Sequence, residues 1–88
     1  MDHLHSELEL RGGDVVEVEI DRPANVRLMD GPNFSAFHRG LGYRSWGGGY
    51  LAGVVRLAAP GYGHYHLVID LGGNAGTIRH SIAVRRAA

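Results

Sequence analysis

Three side chains in the last third of the chain have the types and spacing of metal ligands. His64 and His66 are two residues apart, and Asp70 lies four residues after His66. Alternate residues of a β-strand point to the same face, so the three side chains share one face if this segment is a strand. Imidazole and carboxylate groups bind zinc, iron and nickel, so a divalent metal is the alternative to our prediction of no cofactor. A second pair, His3 and His5, is interpreted as part of a polar edge.

The rest of the same segment indicates which way these groups point. The opposite face is wholly apolar and consists of Tyr65, Leu67, Ile69 and Leu71. The His-x-His spacing resembles the first motif of the cupins, in which the metal ligands point into a barrel. Here the apolar face should be the inside, so the histidines should point to water. The competing interpretation is that Asp70 fixes the glycine turn at residues 72–73 through backbone hydrogen bonds.

A second candidate site is a cluster of aromatic residues beside glycines. Its members are Tyr43, Arg44, Trp46, Tyr50 and Tyr62, with three consecutive glycines at positions 47–49. Flat rings with polar tips stack on sugars or bases and anchor protein interfaces, so these residues are candidates for ligand binding. The alternative is that the rings pack over the glycines and complete a thin core. Ordering three glycines is costly, so we expect a bulge or a close contact that needs them.

No group of residues in the sequence marks a catalytic site. The chain has no cysteine, and none of its serines lies in the strand–turn–helix elbow of a hydrolase nucleophile. No glycine-rich loop precedes a long helix, so a phosphate cradle is not indicated. We therefore predict no catalytic residues, and we favour a binding module over an enzyme.

Alternating apolar residues, separated by turn signals at intervals of roughly ten residues, predict an all-β fold. Six or seven short strands should form a small antiparallel β-sandwich or barrel, with residues 1–88 as a single domain. One short helix is predicted near residues 31–39, because Asp30 or Asn33 can cap it and Pro32 suits its first turn. Phe34 and Phe37 share one face of that helix, and we expect the two rings to cover an open end of the sheet.

Three further predictions concern the C-terminal part of the chain. Residues 64–85 are predicted to form a hairpin, with the glycine-rich residues 72–76 as its loop. His80 should face inward, because it shares its face of the strand with Ile78, Ile82 and Val84. Residues 86–88 are expected to be a frayed end.

The composition argues against several classes of partner. Nine acidic residues balance nine arginines, so no net charge favours nucleic acid or an anionic membrane surface. No segment approaches the roughly 20 apolar residues of a membrane span. The N-terminal residues lack the basic start and apolar run of a secretory signal, so a cytoplasmic location is expected. Without cysteine, neither a disulfide nor a thiolate metal site can stabilise the fold.

Several segments together resemble a bacterial family of small domains of unknown function, DUF1883. They follow one another in order through nearly the whole chain, at residues 11–16, 25–30, 33–37, 46–48 and 63–73. The last segment is the most specific, because it contains the run Ile-Asp-Leu-Gly-Gly. The resemblance implies a small β domain that stands alone or precedes a TIR-type domain. That association suggests recognition or sensing, and it implies no reaction, cofactor or catalytic residue.

The sequence thus leaves three functions to compare. The first is a non-catalytic recognition or interaction module of unknown ligand that uses the aromatic residues near Trp46. The second is a small cupin-like metal-binding protein or enzyme that uses His64, His66 and Asp70. The third is a structural protein that forms homo-oligomers through its strand edges, since a thin core and open edges favour pairing. The expected partner is therefore another copy of the chain or another protein.

Overall fold

In a computed structural model, which describes residues 3–74 and 76–88, the chain forms two antiparallel sheets and one helix. In chain order the elements are β1 (Leu4–Leu10), β2 (Val15–Ile20), β3 (Ala24–Asp30), α1 (Gly31–His38), β4 (Trp46–Tyr50), β5 (Gly53–Ala58), β6 (Gly63–Asp70) and β7 (His80–Arg85). The all-β prediction with one short helix is confirmed. Of the two predicted architectures, the sandwich is the one observed, because the sheets of the described residues do not close into a barrel.

The two sheets differ in size and in which strands lie at their edges. The larger sheet has the order β1-β6-β3-β4, and the smaller has the order β5-β2-β7. Every pairing is antiparallel. β1 and β4 are therefore the two edges of the larger sheet, and β6 is flanked by strands from distant parts of the chain.

The core lies between the sheets and is built from alternate residues of the strands. β2 shows the pattern best, since Val16, Val18 and Ile20 are buried and face the larger sheet. Buried residues of both sheets form one cluster. They are Leu10, Val16, Val18, Ile20, Ala24, Val26, Leu28, Val55, Leu57, Ala59, Tyr65, Leu67 and Ile69. Because both sheets contribute to one core, the outer face of each sheet is left for other contacts.

The outer face of β6 is only partly open to solvent. The inward residues Tyr65, Leu67 and Ile69 are buried, as the alternation predicts. On the other face His64 is exposed, but Val68 and Asp70 are both buried. The prediction that both histidines point to water therefore holds fully only for His64, because His66 is half-buried. On this face α1 packs against β3 and β6 with the Phe34 ring over His66, whereas Asp70 is hydrogen-bonded to Asn25, Arg27 and Gly72.

The helix begins and ends as its sequence predicts, but it lies in a different place. The Asp30 carboxylate caps it by accepting a hydrogen bond from the backbone N–H of Asn33 at 3.0 Å, and Pro32 occupies the first turn. Its aromatic residues Phe34 and Phe37 cover the outer face of the larger sheet, so the expected position at an open end of the sheet is wrong. Among the described residues there is no helix that could span a membrane.

The predicted C-terminal hairpin is wrong because β6 and β7 belong to different sheets. β7 pairs with β2, and Val84 lies opposite Val16. The connecting segment crosses from one sheet to the other, and its Ala75 lies outside the described residues. His80 is also exposed, not buried, although it lies opposite Ile20 in the strand register.

The C-terminal residues are held by a buried carboxylate, so the expectation of a frayed end at Arg86 and Ala87 is wrong. Asp14 accepts hydrogen bonds from the backbone N–H groups of Ala87 (2.8 Å) and Arg11 (2.9 Å) and from the Arg86 guanidinium (2.8 Å). These contacts, with the Ala87 N–H contributing most, lower the pKa of Asp14 to about 2. The carboxylate therefore joins the turn after β1 to the end of the chain.

Candidate functional site

Antiparallel pairing of β1 with β6 brings acidic and basic residues together on the outer face of the larger sheet. Glu7 lies directly opposite His66, and Glu9 lies directly opposite His64. Directly opposed residues point to the same face, with Cβ atoms about 5 Å apart. His5 is on the same face, two residues before Glu7. We call these five residues, His5, Glu7, Glu9, His64 and His66, the histidine face.

His64 lies between two carboxylates. Its Nε2 atom is 2.9 Å from Oε1 of Glu7, and its Nδ1 atom makes a close contact with Oε1 of Glu9. Hydrogen bonds that the ring donates to Glu7 and then to Glu9 raise the pKa of His64, because they favour the protonated ring. The hydrogen bond to His64 in turn lowers the pKa of Glu7. In this geometry two carboxylates flank the imidazole ring, one at each ring nitrogen.

His66 has a different environment, although it is only two residues away. Its Nδ1 atom is 2.8 Å from Nε2 of His5, and the Phe34 ring is stacked on both imidazoles with centroid distances of 4.2 Å. Burial under this ring, followed by the charge of His5, lowers the pKa of His66. An N–H···N hydrogen bond needs one unprotonated ring nitrogen, so the pair can carry only one charge while the bond persists.

Three of these side chains converge closely enough to hold a cation. Glu7, His64 and His66 each offer a ligand atom, and these atoms all lie within 4.8 Å of one another. The sequence had indicated both histidines but not Glu7. The alternation of His5, Glu7 and Glu9 was visible in the sequence, but nothing in it shows that this segment pairs with β6.

Asp70, the third predicted ligand, is at the far end of β6. Four residues of strand separate it from His66, which is about 13 Å at 3.3 Å per residue. Its carboxylate instead accepts hydrogen bonds from Asn25 (2.9 Å), Arg27 (3.1 Å) and the backbone N–H of Gly72 (2.7 Å). The interpretation that Asp70 fixes the glycine turn is confirmed by this last contact.

The predicted aromatic cluster is divided among several parts of the fold. Tyr43 contacts the helix, with its ring edge-on to Phe37 at a centroid distance of 5.2 Å. The Arg44 backbone N–H donates to the side-chain oxygen of Asn33 at 2.7 Å. These two residues therefore help to join α1 to the loop that follows it.

The other three aromatic candidates lie apart from the helix. Trp46 is 38% exposed and lies edge-on to Tyr65. Tyr50 packs against the main core. Tyr62 is 80% exposed and lies in the loop before β6. Trp46 and Tyr50 thus mark the two ends of β4, and Tyr62 is separate from them.

β4 is a second candidate site because it is an edge strand in which three of the five residues are glycines. We call this strand, Trp46–Tyr50, the glycine edge. Gly47 has φ +106°, and a Cβ atom there would lie 2.2 Å from the carbonyl oxygen of Val26. A Cβ atom at Gly48 would meet nothing within 4 Å, and one at Gly49 would meet only Oδ1 of Asn25, at 3.4 Å. The fold of a single chain therefore requires glycine at only one of the three positions.

The segment of chain around the glycine edge is rich in exposed apolar residues. Five of the seven large hydrophobic side chains that are exposed in the described residues lie within residues 41–54: Leu41, Tyr43, Trp46, Leu51 and Val54. No residue from 45 to 55 is charged. A concentration of exposed apolar groups of this kind is typical of an interaction surface.

The two sheets, the histidine face and the glycine edge define a small antiparallel β-sandwich module. The profile of a family described as a domain of unknown function, DUF1883, matches residues 1–88, which is the whole chain. The chain therefore belongs to this family, as the resemblance indicated. No curated protein and no solved structure matches the chain significantly.

Proposed function

We propose that this domain is a non-catalytic interaction module that pairs with a second copy of itself along the glycine edge. The observation that carries the proposal is that Gly48 and Gly49 have room for a side chain that the sequence does not supply. Because Gly48 and Gly49 have no side chains, the backbone N–H and C=O groups of this edge strand are accessible to another strand. Strand addition at an open edge uses these groups for main-chain hydrogen bonds.

The usual protections of an edge strand are missing from β4. Edge strands in soluble proteins are normally blocked by lysine, by proline or by charges that point inward. β4 has none of these residues. Because the segment from 45 to 55 is uncharged, no like-charge repulsion opposes the approach of an identical edge.

The strand also has a register that suits pairing with itself. An antiparallel pair centred on Gly48 places Trp46 opposite Tyr50 of the partner subunit, and the two-fold axis repeats this contact. Cross-strand aromatic pairs contribute about 0.2–1 kcal/mol each. Such an interface is isologous and closes at two copies, so it gives a dimer with one continuous sheet and not a fibre.

The proposal is tested by light scattering after size-exclusion chromatography over a range of protein concentrations. Wild type should show the mass of a dimer that dissociates on dilution. Gly48→Lys should elute as a monomer, because it adds a charge to the edge at a position with space for a side chain. The matched control is Ser81→Lys, which adds the same charge at an exposed position of β7, an edge of the other sheet. It should remain dimeric.

Circular dichroism checks that both variants are folded. A wild-type protein that stays monomeric at every concentration would overturn the proposal. So would a dimer that Gly48→Lys leaves intact while Ser81→Lys disrupts it, since the interface would then lie on the other sheet.

A further inference from the structure

We infer that the histidine face binds one divalent transition-metal ion of the zinc class, with Glu7, His64 and His66 as its ligands. This inference goes beyond self-pairing at the glycine edge and is independent of it, because the two regions lie at opposite edges of the larger sheet. It also differs from the ligand set that the sequence suggests, since Glu7 replaces Asp70.

The donor set suits ions that prefer nitrogen and oxygen ligands. Two imidazoles and one carboxylate form the protein ligands of many zinc sites and of the facial triads that bind iron. Imidazole is a poor ligand for magnesium and calcium, which take oxygen atoms. The three ligand atoms lie within 4.8 Å of one another, and two of them are on directly opposed residues, Glu7 and His66.

In both histidines the Nδ1 atom has a hydrogen-bond partner, although the two ring planes differ by 81°, and this shared arrangement is the strongest argument for a metal. The Nδ1 atom of His64 is bound by Glu9, and the Nδ1 atom of His66 is bound by His5. If each Nδ1 carries the proton, each Nε2 has a lone pair available for a metal. Metal-binding histidines typically donate their second ring N–H to a carboxylate or another acceptor, and this bond sets the orientation of the ring.

The groups around the ligands restrict the movement of one histidine and leave the other adjustable. Phe34 stacks on His66 with its ring only 3° from parallel, so that imidazole has little freedom to turn. The His64 and Glu7 side chains are 46% and 57% exposed. Nε2 of His64 and Oε1 of Glu7 are 2.9 Å apart, and these exposed side chains can separate slightly to the distance of about 3.4 Å between two ligands of a tetrahedral ion.

Binding involves a proton exchange and no redox step. The proton that joins Nε2 of His64 to the Glu7 carboxylate is released to solvent, and the ion takes its place between the two groups. With three protein ligands at an exposed surface, a fourth position is left for water or for a group of a binding partner.

The test is titration calorimetry of the full chain with zinc chloride, together with visible absorption after addition of cobalt(II). We expect one ion per chain and a cobalt spectrum of low coordination number. Glu7→Gln and His64→Ala should each weaken zinc binding by about 100-fold or more, since loss of even a supporting group costs 10–100-fold. The matched control is His80→Ala, which removes an exposed histidine from the other sheet and should bind zinc as wild type does.

A milder variant keeps the inference testable if His64→Ala does not fold. Glu9→Gln alters only the partner of Nδ1 of His64, and it should weaken zinc binding by about tenfold. The inference is overturned if the folded wild type takes up no zinc, or if Glu7→Gln and His64→Ala bind it as tightly as wild type. Chromatography in the presence of EDTA separates the two proposals, because dimers formed through β4 should survive removal of the metal.

Discussion

The two edges of the larger sheet are built in opposite ways. β1 carries Glu7 and Glu9 on its outer face, and their side chains are 57% and 63% exposed. β4, at the other edge, has three glycines and no charge. Charged side chains protect an edge from pairing with another chain, whereas a bare backbone invites it. The difference supports our proposal that a second strand adds at β4 and not at β1.

The two proposed binding surfaces also depend on opposite features. On the histidine face the proposed chemistry depends on the side chains and on their relative positions. At the glycine edge the proposed pairing depends on the absence of side chains. Substitutions that remove groups should therefore damage the first region, and substitutions that add groups should damage the second.

The largest expected effect is a difference between neighbouring glycines of β4. Gly47→Ala should lower the free energy of unfolding by roughly 3 kcal/mol, because Gly47 has φ +106° and its new Cβ atom would overlap the carbonyl oxygen of Val26. Gly48→Ala should change it by less than about 1 kcal/mol, because the position is open. Urea unfolding monitored by Trp46 fluorescence measures both values. If the two substitutions lower the free energy of unfolding equally, Gly48 is also needed for the fold. That result would remove the main support for an interaction role of β4.

An intermediate effect is expected at the far end of the histidine-bearing strand. Asp70→Asn should lower the free energy of unfolding by about 2 kcal/mol, because the buried carboxylate loses its charged hydrogen bond with Arg27. It should leave the zinc affinity unchanged, since Asp70 does not reach the histidines. Calorimetry with zinc chloride and urea unfolding of the same sample test both parts. A lost zinc site with unchanged stability would restore the ligand set that includes Asp70.

The smallest expected effect is a difference in ionisation between the two histidines of β6. The pKa of His64 should lie above the ordinary imidazole value, and that of His66 should lie below it. His64 therefore stabilises the fold at low pH, and this contribution is lost as the pH rises through its raised pKa. The contribution of His66 to stability depends on pH in the opposite direction. It is lost as the pH falls through the lowered pKa of His66.

NMR titration of the imidazole signals in metal-free protein measures both values. In Phe34→Ala the pKa of His66 should rise towards normal, because the ring that buries it is gone, and His64 should be unaffected. If the two histidines titrate together in wild type, the proposed difference between their environments is wrong.

Features that depend on neighbouring residues could be read from the chain alone. The alternation of Val16, Val18 and Ile20 predicts the inward face of β2, because side chains in a strand alternate between two sides. Asp30 and Pro32 predict the start of α1, because they meet the backbone requirements of its first turn. The shared face of His64 and His66 follows from their spacing in the same way.

Features that depend on distant residues could not be read in this way. Glu7 is 57 residues from His64, and nothing between them indicates that β1 pairs with β6. The glycine-rich segment after β6 has the same composition whether it reverses the chain within one sheet or crosses to the other. The predicted hairpin is wrong for this reason.

Local physical chemistry thus specified the alternation of β2 and β6, the helix cap and the side of β6 on which the histidines stand, but not the strand β4, whose glycines predicted a bulge or a close contact. Long-range pairing supplied Glu7, placed the Phe34 ring over His66 and left β4 without a neighbour on one side. The reason is that strand register depends on which buried faces fit together, and that choice involves residues far apart in the chain.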